Sequence, residues 1–349
     1  MKAILTLLPL AAFSVSQNVN FEQIPLEEQP IGEIPLQTSS VLTTEPLTID
    51  GIPLLGFGTW NLKTNCSEAV SWAIQTGYRH IDCAAAYGNE HEVGRGIADG
   101  LLNTDLTRED LWITSKLWND HHDPNKVEAA IDDSLEKLGV GYLDLYHMHW
   151  PVRSGSLGRN YIDYRDTWNA MSALVEDGKT RHIGVSNFSP NQMENLLNHT
   201  SHTPSVHQME LHPYLQQTDW IKWHEKHGIH VTAYSPFAGT NPTYQPGDPE
   251  HLLKNKVITK IADKRGCTAA QVALQWGMAR GTSVIPKTSH LERATENFHS
   301  LDCVLKKKDL EKIDELGKAH HRFNNPSKSW GLDLYEGLED SKGEHKKHS

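Results

Sequence analysis

Four side chains able to hold or move a proton recur just after short apolar runs in the first half of the chain. Asp82 and Tyr87 lie in Gly77-Tyr78-Arg79-His80-Ile81-Asp82-Cys83-Ala84-Ala85-Ala86-Tyr87-Gly88-Asn89-Glu90. Lys116 lies in Ile113-Thr114-Ser115-Lys116-Leu117-Trp118, and His149 in Leu143-Asp144-Leu145-Tyr146-His147-Met148-His149-Trp150-Pro151. A phenol is a poor acid in water, with a free pKa of about 10. A neighbouring ammonium favours its charged form and is expected to bring the Tyr87 pKa down towards working pH. An imidazole opposite could orient an acceptor, and a carboxylate could hold the ammonium. Singly, an Asp or Lys at a strand end is as readily a structural ion pair as a functional one. Jointly, Asp82, Tyr87, Lys116 and His149 would deliver a proton to an oxygen on which negative charge develops.

His147 and His149 alternate along one run and so share a side, which is also the geometry of a metal-binding histidine pair. The neighbouring runs supply Lys116, Ser186 and Gln208, which are poor zinc ligands. No metal is therefore expected, and a metal-dependent hydrolase using His147 and His149 is kept as the lesser alternative.

These residues need strands to carry them, and the chain alternates accordingly. Ile49-Asp50-Gly51-Ile52 reads as a tight hairpin. After it, apolar runs end near Thr59, Asp82, Lys116, His149, Ser186, Gln208, Tyr234 and Lys287. The run 81–86 is read as a buried strand that ends at Tyr87. Helical patterns start near Ser67, Glu90, Pro124, Tyr164, Pro190, Thr218, Thr268 and Leu291. Eight strands each followed by a helix predict an α/β fold, a (β/α)8 TIM barrel with an N-terminal β-hairpin cap. An open doubly wound sheet would want a Gly-x-Gly-x-x-Gly after its first strand. Gly94-Arg95-Gly96 sits instead within a helical pattern and is read as a packing feature. Residues 236–248, rich in Gly, Pro, Thr and Asn, read as a long loop. The segment 306–335 adds a last helix and an irregular stretch with Arg322, Phe323 and Trp330.

On these motifs the chain resembles the aldo-keto reductases, in particular the aldose and aldehyde reductase branch, over roughly residues 47–323. The resemblance implies NADPH-dependent reduction of an aldehyde, or of a ketone or sugar aldehyde, to an alcohol. Tyr87 would be the general acid, Lys116 its cationic neighbour, Asp82 the partner of Lys116, and His149 the residue that orients the carbonyl. By the same resemblance, Ser186, Asn187 and Gln208 would hold the nicotinamide carboxamide. Tyr234 would stack on the nicotinamide ring, and Ser235 would touch the pyrophosphate. Lys287, beside Thr288, and Arg293 would take the adenosine 2'-phosphate, with Glu296 and Asn297 at the adenine. A guanidinium and an ammonium suit a phosphate dianion, which favours NADPH over NADH. Trp60, Trp118 and Trp150 would line an apolar substrate site, framed by loop 151–164 and the C-terminal segment. His207, where many relatives carry Asn, precedes Gln208 and is expected to point away from the cofactor with little effect. A non-catalytic barrel that keeps NADPH affinity is the alternative; it would lack the Tyr or the Lys.

Composition narrows the rest. The 349 residues carry a net charge of -11, which argues against a nucleic-acid surface. The 38% hydrophobic content fits a globular enzyme rather than a multi-span membrane protein. The resemblance implies a monomer acting on a small carbonyl compound, and no helix shows a second apolar stripe that would argue otherwise. Residues 1–16 resemble a secretory signal peptide, 17–44 an unstructured linker, 45–323 the barrel, and 324–349 a C-terminal loop and polar tail. A secretory location conflicts with the scarcity of NADPH outside cells, so the cytoplasm is the alternative. The sequons at Asn65, Asn187 and Asn198 would meet glycosylation machinery on the secretory route. Cys66, Cys83, Cys267 and Cys303 show no paired spacing and are read as free thiols.

Overall fold

The computed structural model describes residues 48–49, 51–152, 163–239 and 250–338. The readings for residues 1–16 and 17–44, for most of loop 151–164, for the loop 236–248 beyond Gly239 and for the tail from residue 339 lie outside these. Strand β1 (Thr48–Ile49) pairs antiparallel with β2 (Ile52–Pro53), Ile49 facing Ile52. Gly51 takes the turn at φ 82°, a conformation that glycine adopts without steric cost.

Eight parallel strands follow: β3 (Phe57–Gly58), β4 (His80–Asp82), β5 (Trp112–Leu117), β6 (Leu143–Met148), β7 (Thr180–Ser186), β8 (Val206–Glu210), β9 (His230–Tyr234) and β10 (Ser283–Val284). Each pairs with its sequence neighbours. The first and last also meet: Gly56 N donates to Val284 O at 2.9 Å, Val284 N to Leu54 O at 2.8 Å, and Gly58 N to Pro286 O at 3.0 Å. The sheet thus closes into the expected barrel. Both faces of the sheet are covered, and every residue of β6 is buried, the polar Asp144 and His147 included.

Helices surround the strands: α1 (Cys66–Thr76), α2 (Glu90–Leu102), α3 (Pro124–Leu138), α4 (Tyr164–Glu176), α5 (Pro190–Leu197), α6 (Thr218–Lys226), α7 (Lys256–Arg265), α8 (Ala269–Met278), α9 (Leu291–Phe298) and α10 (Lys307–Asp314), while the short α11 (Ser327–Trp330) belongs to the C-terminal segment at the cavity rim. Their starts are chemically marked. Asp123 accepts from Asn125 N ahead of α3, whose first residue is proline. Ser189 with Gln192, and Thr268 with Gln271, form reciprocal caps on α5 and α8. The packing reading of Gly94 and Gly96 holds: a Cβ there would lie 2.6 Å from Lys137 O and 2.5 Å from Ser67 O.

Three readings need correction. Strand β4 stops at Asp82, and Tyr87 instead closes a 3-10 turn (Ala85–Tyr87). Small, unbranched alanines fit the pleated sheet poorly. Here Tyr87 N bonds Ala84 O, Gly88 N bonds Ala85 O, and Gly88 ends the turn at φ 67°. Second, the seventh strand is followed by two helices rather than one. Helix α7, capped by Asn255 and ended by Gly266, precedes α8. Third, Cys267 and Cys303 form a disulfide, while Cys66 and Cys83 are the free, buried thiols. The pairing joins the α7–α8 turn to the end of the α9 region across a separation of 36 residues, which no local spacing motif announces. In the chain-entropy model a closure of this length stabilises by about 4 kcal/mol.

Candidate active site

Asp82, Lys116 and Tyr87 meet at the C-terminal mouth of the barrel, where enzymes of this architecture carry their chemistry. Lys116 is fully buried and uses all three donors: to Asp82 Oδ1 at 2.6 Å, Cys83 O at 2.9 Å and Tyr87 OH at 3.3 Å. The second Asp82 oxygen accepts from Gln208 Nε2 at 2.7 Å. Because the ammonium donates to the phenol oxygen, the phenol's own proton is left to point elsewhere. The His149 ring stands edge-on to Tyr87 with centroids 5.7 Å apart, and to Trp118 at 5.1 Å.

Electrostatics differ from the expectation in one respect. Burial pushes the Tyr87 phenol up to about 12, more than Lys116 pulls it down. The phenol therefore stays protonated at working pH, which is the form a general acid must start from. Burial would lower Lys116, but Asp82 and Tyr87 overcome it and hold the ammonium above the usual lysine range. Burial, reinforced by the Lys116 charge, keeps His149 well below the ordinary histidine range. A neutral imidazole carries one N–H. The buried Nδ1 has no partner among the described residues, so the Nε2 tautomer leaves no buried donor unpaired.

These groups open on a cavity of roughly 960 Å³. Asp82, Tyr87, His149, Trp60, Trp118 and Trp150 line one part of it. Ser186, Asn187, Gln208, Tyr234 and Ser235 line the middle, and Lys287, Thr288, Arg293, Glu296 and Asn297 the far part. Of the residues given a catalytic, cofactor or substrate role by the resemblance, Lys116 alone stands behind the wall rather than in it. Tyr234 OH donates to Asn187 Oδ1 at 2.7 Å, and Asn187 Nδ2 donates to His149 O at 3.0 Å. Asn187 and Ser235 both hold left-handed backbones, at φ 62° and 52°. Such conformations cost free energy in non-glycine residues and concentrate at functional turns. Lys287 and Arg293 make no ion pair among the described residues, and burial lowers the Lys287 pKa. Two cations at one end of a cavity, neither ion-paired among the described residues, fit a phosphate.

His147 does not share the cavity with His149. It is fully buried, and a Cβ on Gly184 would lie 2.7 Å from its Nδ1. Among the described residues no group of three or more His, Cys, Asp or Glu is placed to hold a metal ion.

Sequence reasoning passed over Glu210, at the end of β8. It is buried, accepting from Phe323 N and Asn324 N at 2.8 Å each and pairing with His212 Nε2 at 2.9 Å. Burial works to raise it, but His212, Arg322 and the Phe323 amide hold it below the usual glutamate range. Two main-chain amides of the C-terminal segment are thereby fastened to the barrel. From that anchor the segment sends Asn324 Nδ2 to Tyr234 OH at 3.1 Å and sets Trp330 edge-on to Trp150 at 5.0 Å. A lone Glu in Gln208-Met209-Glu210 gives no signal of a partner 113 residues away.

Relatives agree with this geometry. The model of the Aldo/keto reductase family matches residues 54–318. The chain is 43% identical over 306 residues to an uncharacterised oxidoreductase of Schizosaccharomyces pombe, covering 83% of this chain and 92% of that protein. It is 40% identical over 281 residues to aldo-keto reductase family 1 member A1 of Gallus gallus, covering 76% and 86%. Among solved structures, it is similar to a Bombyx mori aldo-keto reductase in complex with NADP, at a TM-score of 0.76 and 35% identity, covering 81% of this chain and 95% of that one. The aldose reductase of Schistosoma japonicum superposes equally well, at 0.76 and 33% identity, covering 85% and 99%. With a closed eight-stranded barrel and an Asp–Lys–Tyr–His mouth already in place, this chain belongs to the aldo/keto reductase family.

Proposed function

We propose that the chain reduces aldehydes to alcohols with NADPH, using Tyr87 as the general acid. The observation that carries this reading is the buried Lys116 ammonium 3.3 Å from the Tyr87 hydroxyl, with His149 across the same mouth. NADPH, when bound, supplies the hydride. The chain's own work is to hold the carbonyl oxygen between the Tyr87 hydroxyl and the His149 N–H and to give it a proton as charge develops. Lys116 favours the phenolate that remains, and Asp82 keeps Lys116 in place. A non-catalytic barrel has no use for a fully buried ammonium donating to a tyrosine hydroxyl. Consumption of NADPH with an aromatic aldehyde tests the reaction directly, and no consumption with any aldehyde refutes it.

Ser186, Asn187 and Gln208 would hold the carboxamide, Tyr234 the ring and Ser235 the pyrophosphate. Lys287 and Arg293 would meet the 2'-phosphate, with Thr288 beside them and Glu296 and Asn297 at the adenine. Losing one charge-assisted contact should weaken binding by about 10–100-fold. Lys287→Ala should therefore raise the Kd for NADPH by that factor and leave NADH unchanged. Equal weakening of both nucleotides would place the phosphate elsewhere. Trp60, Trp118, Trp150 and Trp330 give the substrate an aromatic wall, which suits aldehydes of mixed polarity and separates them little.

The Cys267–Cys303 bond favours an oxidising compartment, in keeping with a signal peptide at 1–16. Of the three sequon asparagines only Asn198 is exposed. Asn187 is 2% exposed, and Asn65 donates to Ser289 O at 2.7 Å. Intact mass and thiol labelling in denaturant, on protein from its natural source, should give a start near Gln17 and two labelled thiols before reduction, four after. Four thiols and an intact Met1 would place the enzyme in the cytoplasm.

A further inference from the structure

His207 points away from the cavity, as the sequence suggested, yet it is tied to the residue beside Asn187. It sits on β8 between Val206 and Gln208, fully buried, and its Nε2 lies 3.2 Å from the Phe188 main-chain N. Its Nδ1 lies 2.6 Å from His224 Nε2 on α6, and His224 Nδ1 lies 2.6 Å from Trp220 O. These partners fix every proton. The Phe188 N–H can only donate, so His207 Nε2 is bare and Nδ1 carries the hydrogen. That hydrogen makes His224 Nε2 the acceptor, and His224 Nδ1–H donates to the Trp220 carbonyl, which can only accept. Two neutral rings thus run in series from an α6 carbonyl to the amide after Asn187.

The amide matters because of what it holds. Asn187 adopts φ 62°, and its own N donates to Gln208 O at 3.1 Å. The His207–Phe188 bond fastens the next amide, so the turn is held at Asn187 and at the residue after it. We propose that His207, locked in one tautomer by His224, is a positioning residue for the Asn187 turn and couples nucleotide binding to acidity. This rests on the assignment of Asn187 to the nicotinamide made above.

One added proton anywhere on the pair is felt at the turn. A proton on His224 Nε2 faces the His207 Nδ1–H as donor against donor at 2.6 Å. Shifting the His207 hydrogen to Nε2 relieves that contact, but then an N–H confronts the Phe188 N–H. The first sets the two rings against each other and loosens His207 in its seat, and the second breaks the Phe188 bond itself. The other charged or titratable groups facing the pair are His147 and Arg322 towards His207, and His227 towards His224. Each disfavours the extra proton. Burial, the largest influence, keeps His207 well below the ordinary histidine range and lowers His224 to about 4. The rings are therefore neutral near pH 7, and the coupling belongs to the acid side.

Nucleotide affinity, measured by quenching of tryptophan fluorescence from pH 7.5 to 3.5 with NADP+, which withstands acid, tests this with three proteins. Wild type should bind at neutral pH and weaken as the pH falls. His224→Leu removes the acceptor that fixes the tautomer. It should raise the Kd for NADP+ and the KM for NADPH about fivefold at pH 7.5 while leaving the KM for aldehyde unchanged. His224→Gln offers a carbonyl to His207 Nδ1–H but cannot gain a proton. It should restore neutral-pH affinity and lose less than wild type on acidification. If wild type binds no nucleotide at any pH, the proposed function and this inference fall together. If it binds but all three proteins share one affinity and one pH profile, only the positioning role is overturned. The same holds if His224→Gln is as weak as His224→Leu, because the ring then acts through packing alone.

Discussion

Tyr87→Phe is expected to lower kcat for aldehyde reduction by about a thousandfold, equivalent to roughly 4 kcal/mol of transition-state stabilisation. The substitution deletes one oxygen and keeps the ring that meets His149 edge-on. NADPH affinity should stay within about twofold, since the phenol is assigned to substrate rather than nucleotide. Steady-state rates with an aromatic aldehyde and a separate NADPH titration provide the check. A loss below about tenfold would mean that His149 or a water donates the proton, and the assigned acid would be wrong. The direction of the Tyr87 pKa sharpens the expectation. With the phenol pushed up to about 12, the activity of the wild-type enzyme should show no loss from tyrosine ionisation between pH 6 and 9.

Lys116→Met should be the most damaging single change, because it acts on stability and on rate together. The ammonium is the shared donor to Asp82, the Cys83 carbonyl and Tyr87, at 0% side-chain exposure. Removing it leaves Asp82 buried with one oxygen unpaired, which typically costs about 3–5 kcal/mol. Chemical denaturation should show that loss as a lower midpoint. In the folded fraction kcat should drop about a hundredfold or more, as the phenolate left after proton transfer loses its neighbouring charge. The sign follows from the geometry. Lys116 lowers the Tyr87 pKa, so its removal raises it further, and the phenol remains protonated but becomes a weaker acid. An active, fully stable Lys116→Met protein would contradict the ion pair at the centre of the site. Asp82→Asn in the Lys116→Met background should recover part of the stability without recovering the rate.

Much of this centre was legible because each member follows a short apolar run, and a barrel brings successive strand ends together. Asp82, Lys116, Ser186, Gln208 and Tyr234 are set by strand position alone, and all but the buried Lys116 line the one cavity. The local path to Tyr87 was less legible. An alanine run is a weak strand former but carries no turn signal of its own, and Gly88 at φ 67° shows where the chain turns. The direction of the phenol's pKa was misjudged because a pattern of residue types shows a nearby cation but not the depth of burial that outweighs it. Partnerships across long separations were the hardest to read. Glu210 with the Phe323 amide, Cys267 with Cys303, and His207 with His224 are each made by packing between elements, not by neighbouring residues.

Glu210 has a consequence for how such an enzyme can change its diet. The outer rim of the cavity hangs from the barrel at a carboxylate that grips two consecutive main-chain amides and reads no side chain at either. A replacement segment that offers the same two amides and keeps the Asn324 amide on Tyr234 can be bolted on without disturbing the interior. Evolution, or an engineer, can therefore swap the rim that screens incoming molecules while the machinery beneath it stays as it is.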